Sequence, residues 1–263
     1  MTAQSVASHV LELYSSLAFR PPPGQFTVLA SLVLVSTETI KVISLATGSK
    51  CLPVARLPQQ GDALHDSHAE ILARRAAIRW FLEEIIRSVS AGVSQWIELG
   101  DDDRYGLKYG IRVFLYISTP PCKINYFGYK DRYSSLFKGG DASTRFLACS
   151  QDQRMAALKD STVYPVLPRN STSRGRDNYS LYGVLRTKPG RADAPPTGSM
   201  SCSDKIAVWN VVGMQGALAS RVLKPIYISG IVIGDVADSM QDIVQEDCDR
   251  AIWGRLRNLN GRY

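Results

Sequence analysis

Four side chains of the kinds that bind or work beside a transition metal stand out in this chain. His68 and Glu70 sit two residues apart in His68-Ala-Glu70, Cys122 follows two prolines, and Cys202 lies in Met200-Ser-Cys-Ser-Asp204. A hydrolytic zinc centre needs three protein ligands, an open position for water, and a carboxylate that carries protons without binding the metal. His68, Cys122 and Cys202 would supply the ligands and Glu70 the carboxylate. Against this, no cysteine stands three positions after Cys122, so the third ligand must come from far down the chain. A His-x-Glu at a helix start is also an ordinary cap-region feature, and a first-turn glutamate is favoured by the helix dipole whatever its function. The residues alone leave both readings open.

The elements that must carry these residues follow from periodicity. Val6, Val10, Leu13, Tyr14 and Leu17 recur at helical spacing before Arg20-Pro-Pro-Pro-Gly24, which predicts an amphipathic helix over 4–18. Residues 26–35 and 39–45 are rich in β-branched and apolar types and read as paired strands. From Asp66 to about Ser88 the stripe Ile71, Leu72, Ile78, Phe81, Leu82, Ile85 predicts a helix capped by Asp66 or Ser67. Residues 111–118 read as a buried strand stopped by Pro120 and Pro121. Residues 150–180 read as exposed loop and 181–186 as a short strand. A helix from a Ser203-Asp204 cap to about Ser220 and a strand over 225–233 complete the pattern. Alternating strands and helices predict an α/β fold with helices packed on a mixed sheet.

Composition narrows the class. At 45% apolar and 21% charged residues, 263 residues suffice for one well-cored domain, and general disorder is excluded. No run approaches the roughly 18 apolar residues of a membrane span, and the N-terminus lacks a signal-peptide pattern, so no membrane association and an intracellular place, cytoplasmic or nuclear, are expected. Five widely spaced cysteines then argue against disulfides. A net charge of +7 suits a polyanionic partner.

Five blocks, Asp66-Ser-His-Ala-Glu-Ile-Leu-Ala-Arg-Arg75, Ser118-Thr-Pro-Pro-Cys122, Gly140-Asp-Ala-Ser143, Leu185-Arg-Thr-Lys-Pro-Gly-Arg191 and Met200-Ser-Cys-Ser-Asp-Lys-Ile-Ala-Val-Trp-Asn210, together resemble the RNA adenosine deaminase family, in its tRNA-specific branch. The resemblance runs from about residue 26 to 234. It implies a cytidine-deaminase-like mixed sheet flanked by helices, Zn2+ held by His68, Cys122 and Cys202, and Glu70 as the proton shuttle. The implied reaction converts adenosine to inosine and ammonia with a zinc-activated water. It also implies a buried inositol hexakisphosphate near Arg74, Arg75, Lys205 and Trp209, because cations gathered inside a fold need an anion. The family commonly has arginine where this chain has Val208. Ser49, Lys50, Lys188 and Asp193 fall in loops that the resemblance assigns to the RNA. With no length to spare for duplex-binding modules, the expected partner is a tRNA recognised by its folded shape, edited in the anticodon loop, with no obligate protein partner.

Two departures define the expected domain plan. Residues 1–25 are an N-terminal helix and linker, and 26–234 form the deaminase domain, interrupted at 123–139 between Cys122 and the Gly140-Asp-Ala-Ser143 block. That insertion reads either as an RNA-facing loop with Tyr126, Phe127, Tyr129 and Tyr133 for stacking, or as sequence foreign to the fold. Residues 235–263 form a divergent tail that matches nothing in the family pattern. These departures keep a catalytically inactive RNA-binding homologue, or a truncated non-functional product, as the rival expectations.

Overall fold

The computed structural model describes residues 2–22, 27–121, 173–174, 186–188, 195–234 and 236–254. The insertion 123–139, the expected loop over most of 150–180 and the strand residues 181–185 lie outside them. The chain divides into two compact units. One comprises Met1–Lys50, Ser67–Thr119 and Val208–Gly234, the other Cys51–Asp66, Pro120–Ala207 and Asp235–Tyr263.

The first unit is built on strand β1 (Leu29–Val35), whose seven residues are all buried. Strands β2 (Ile40–Thr47), β7 (Arg112–Ile117) and β10 (Gly230–Ile233) complete a four-stranded sheet in the order β10-β7-β1-β2. β1 runs antiparallel to β2 and β7, and β10 parallel to β7, so the sheet is mixed as expected. Helix α1 (Ala3–Ser16) lays Val6 and Val10 on Leu29, Val33, Val35, Tyr116 and Val232. The pleat turns Ala30, Leu32 and Leu34, all fully buried, to the opposite face. Helix α2 (Ala69–Ala91) packs on β1 and β2 through a face that includes the buried Ala73, Ala77 and Phe81. Burial of the Phe81 side chain contributes about 1.5–3 kcal/mol.

The start of α2 corrects the sequence reading. Asp66–His68 is not helix but a three-residue strand, β4, which pairs with β3 (Ser49–Cys51). His68, in an extended conformation, is the residue before the helix, and neither Asp66 nor Ser67 caps it. Strands β5 (Ile97–Leu99) and β6 (Tyr105–Leu107) form a hairpin that the periodicity did not reveal.

The helix predicted over 203–220 is two. Helix α3 (Cys202–Val212) ends at Gly213, whose φ of +83° a helix cannot continue, and a single turn, α4 (Gly216–Ala219), follows. The cap of α3 is Ser201 rather than the expected pair. Its hydroxyl accepts from the Asp204 N–H at 3.1 Å and donates to the Asp204 carboxylate at 2.9 Å, which satisfies one N–H of the first turn.

In the second unit β8 (Ser173–Arg174) and β9 (Arg186–Thr187) pair in parallel. The tail holds helix α5 (Gln241–Cys248), which continues into a wider turn over Asp249–Trp253. Val244, Cys248, Ala251 and Ile252 are buried there, so part of the tail has a packed face of its own. Among the described residues no helix is long and apolar enough to cross a membrane.

Candidate active site

At the head of α2, His68 and Glu70 flank the first helical residue. Glu70 is 2% exposed, and its Oε2 has no hydrogen-bond partner among the described residues. Leaving a carboxylate oxygen buried and unpaired is expensive, and the aligned N–H groups of the first turn offset only part of that cost. An oxygen held this way is open to a water or an amine.

The second unit gathers a different set. Cys202 opens α3, fully buried, and receives the Lys188 ammonium on its sulfur at 2.9 Å. Lys188 Nζ also donates to Asp66 Oδ2 at 2.8 Å, and this pair is almost wholly out of solvent. Asp66 accepts further bonds from the Ser199 hydroxyl at 2.9 Å and from Lys205 Nζ. Lys188 is fixed through its main chain as well, its N–H donating to Ser199 O at 2.7 Å and its carbonyl accepting from Thr197. The Cys202 sulfur thus sits at the start of a helix with a cation against it.

The Cys51 sulfur lies within 4.8 Å of an Asp66 carboxylate oxygen, and His68 is two residues further along β4. The Cys51 thiol is pushed from 9.0 up to about 12, mainly by burial; the Lys188 charge opposes this and the Asp66 carboxylate adds to it. Cys51 is therefore a protonated neighbour rather than a thiolate. A pKa raised on folding contributes stability that is fully present below pH 9 and is lost as the pH climbs through 12. At pH 8 native Cys51 is expected to react with iodoacetamide about a thousandfold more slowly than an ordinary thiol, as peptide mapping can show. Rapid native labelling of Cys51 would contradict that assignment.

Taken singly, these are donor types that suit a zinc centre: an imidazole in His68 and a carboxylate in Glu70 in the first unit, and a buried sulfur in Cys202 in the second. The third expected ligand, Cys122, and the RNA-loop residue Asp193 lie outside the described residues. Ser49 and Lys50 are exposed on β3, where a nucleic acid can reach them. Lys188 is not exposed in this way. Only 3% accessible, it serves Asp66 and Cys202, a placement that a basic residue before Pro189-Gly190 did not suggest.

The expected cationic group is partly assembled. The Arg74 guanidinium stacks over Trp209 at 5.2 Å and its Nε donates to Met214 O at 2.6 Å. Burial, and then the charge of Arg75, hold Arg74 below its ordinary pKa. Arg75 itself is exposed, and Lys205, lower on the same helix as Trp209, is engaged with Asp66 and Ser199. Asn210, to which the sequence assigned no role, has both amide atoms buried and without a partner among the described residues. An under-neutralised arginine and an orphaned amide are chemically suited to a polyanion. Val208, on the same helix as Trp209 and Asn210, is exposed.

A mixed sheet flanked by helices, with His-x-Glu at a helix head, defines a deaminase-like α/β protein. The chain belongs to the adenosine-deaminase (editase) domain family, whose model matches residues 44–263 and so includes the tail. It is similar to tRNA-specific adenosine deaminase 1 of Schizosaccharomyces pombe, 32% identical over 97% of this chain and 62% of the relative. The same-named protein of Saccharomyces cerevisiae is 32% identical over 98% and 64%. The double-stranded RNA-specific editase Adar of Drosophila melanogaster is 31% identical over 87% of this chain and 32% of its own length. The chain thus spans about six tenths of the length of the two yeast tRNA-specific relatives.

Proposed function

We propose that this protein deaminates adenosine to inosine in tRNA, at an adenosine of the anticodon loop, by hydrolysis. The observation that carries the reading is the buried, unpartnered Glu70 Oε2 two residues after His68. The names of the tRNA-specific relatives support the substrate class.

His68, Cys122 and Cys202 would hold Zn2+, which when bound supplies Lewis acidity and lowers the pKa of water. Glu70 takes a proton from the attacking water on Oε2 and returns it to the departing 6-amino group. Water and adenosine become inosine and ammonia, with the glutamate regenerated. Lys188 places its ammonium on the Cys202 sulfur and so orients it. Ser49 and Lys50 contact the nucleotide from β3. Arg74 and Asn210, with Trp209 behind them, would hold a polyphosphate such as inositol hexakisphosphate, whose charge offsets the buried guanidinium.

The test is the purified full chain with transcribed tRNA and with free adenosine, alongside its metal content. The expected result is about one zinc per chain, inosine in the tRNA, and no turnover of the nucleoside. A metal-replete protein that binds tRNA but makes no inosine would transfer the assignment to an inactive RNA-binding homologue. Binding should also weaken about tenfold between 50 and 200 mM salt for as few as two phosphate contacts, through counterion release. A flat salt profile in a filter-binding titration contradicts a phosphate-dominated interface.

A further inference from the structure

Between β2 and β3, and so between the sheet and the exposed Ser49-Lys50 pair, lies Gly48. Its N–H donates to Val28 O at 3.1 Å, just ahead of β1, and its carbonyl accepts the N–H of Ala69 at 3.0 Å. Ala69 is the first residue of α2, so this N–H is one that no carbonyl of the helix can satisfy. The fit around the residue is tight. A Cβ built on Gly48 would run into the carbonyl oxygen of Ser67, and would lie 3.2 Å from its carbon and 3.6 Å from Leu72 Cδ1. That carbonyl belongs to the peptide joining Ser67 to His68. It is backbone, so it cannot move aside without turning His68.

We infer that Gly48 is a positioning residue for the deamination. One bare peptide ties the strand that leads to the nucleotide-facing loop to the head of the helix that carries His68 and Glu70. The Ala69 N–H bond and the close Ser67 contact together fix the direction in which His68 leaves the backbone. The inference rests on the reading of His68 as a metal ligand and Glu70 as proton carrier. It adds a reason why residue 48 must be glycine: the proximity of the Ser67 peptide, not a demand of the turn alone.

The experiment compares Gly48→Ala with Gly92→Ala in the metal-loaded full chain. Gly92 ends the same helix at φ +85°, and a Cβ there meets nothing within 4 Å, so that substitution strains the backbone without touching the site. Four readouts are taken: thermal midpoint, the rate of zinc loss to EDTA, the visible spectrum of the cobalt(II)-substituted protein, and kcat against KM on tRNA. Gly48→Ala is expected to release zinc about 10–100-fold faster, to change the cobalt bands, and to lose more in kcat than in KM. Gly92→Ala is expected to match the wild type in metal release, cobalt spectrum and kcat.

Ala69→Pro is the second variant: it deletes the N–H that the Gly48 carbonyl accepts and adds a ring at a fully buried position, so its thermal midpoint is read beside its zinc release. Proline suits the first helical position, and His68 at φ −68°, ψ 143° already has the backbone that a residue before proline requires. It should release zinc faster in the same direction. A folded Gly48→Ala with wild-type zinc retention and kcat overturns the inference, as does an unfolded Gly48→Ala beside an Ala69→Pro that behaves as wild type. A wild-type chain that holds no zinc and makes no inosine overturns the functional reading first, and the inference with it.

Discussion

Glu70→Gln is expected to keep its zinc, to keep or gain thermal stability, and to make almost no inosine. The side chain is 2% exposed and its Oε2 is unpaired, so in the resting protein the carboxylate is held against its own solvation. Glutamine has the same shape and no charge, and burying it without a partner costs less than burying the anion. Stability should therefore not fall. Activity should, because an amide cannot take the water proton or return one to the amine. Removing a general acid–base group costs about 10²–10⁴ in rate, and a residue used in both proton transfers belongs at the upper end. That corresponds to roughly 5.4 kcal/mol of lost transition-state stabilisation. Inosine is measured by mass spectrometry of digested tRNA and zinc by elemental analysis. Turnover within tenfold of wild type would remove Glu70 from the role, and loss of the metal would make it a ligand.

A pattern in which function falls while stability holds or rises marks a residue kept for chemistry, and it bears on how far this site was legible in the sequence. Local pattern was enough for α1, β1, β2, β7 and most of α2, since each declares its buried face through periodicity over seven or more residues or through an unbroken apolar run. His68 and Glu70 were legible because their spacing alone carries the chemistry. Asp66 was not. Before an apolar stripe, an aspartate has the sequence signature of a helix cap, and the partners that give it another role stand 122 and 139 residues away.

Lys188 misled for a related reason. A lysine before proline and glycine reads as exposed loop, whereas its main chain is bonded to Ser199 and Thr197 and its ammonium is drawn inside by Asp66. Asn210 carried no signal, since a buried asparagine within an apolar helix segment is indistinguishable in sequence from a solvent-facing one. The packing in the tail was there to be read. Val244, Cys248, Ala251 and Ile252 recur at helical spacing, yet four apolar positions amid Gln, Asp and Glu are a weak stripe.

Lys188→Met is the substitution that separates the buried reading of this lysine from an RNA-facing one. Methionine fills most of the volume and deletes the charge. Asp66 then retains Lys205 and Ser199, while the Cys202 sulfur loses the cation that now sits 2.9 Å from it. Breaking a buried pair typically costs about 3–5 kcal/mol, and the partners that Asp66 keeps, Lys205 and Ser199 among them, put this case at the lower end. A loss of about 3 kcal/mol lowers Tm by on the order of 6–12 °C in a chain of this size. Zinc retention should fall with it, because the Cys202 sulfur loses the ammonium that orients it. Lys205→Met should be milder, its side chain being 19% exposed against 4% for Lys188. Asp66→Asn added to Lys188→Met should recover part of the lost stability, since the buried carboxylate goes with the buried ammonium and the charge left over, on Lys205, is 19% exposed; the double-mutant cycle measures that coupling. A contact with the phosphate backbone gives the reverse pattern: tRNA affinity falls and its salt slope shrinks by about one, while Tm and zinc content stay at wild-type values. That reverse result would place the lysine at the RNA and remove it from the buried set around Asp66 and Cys202.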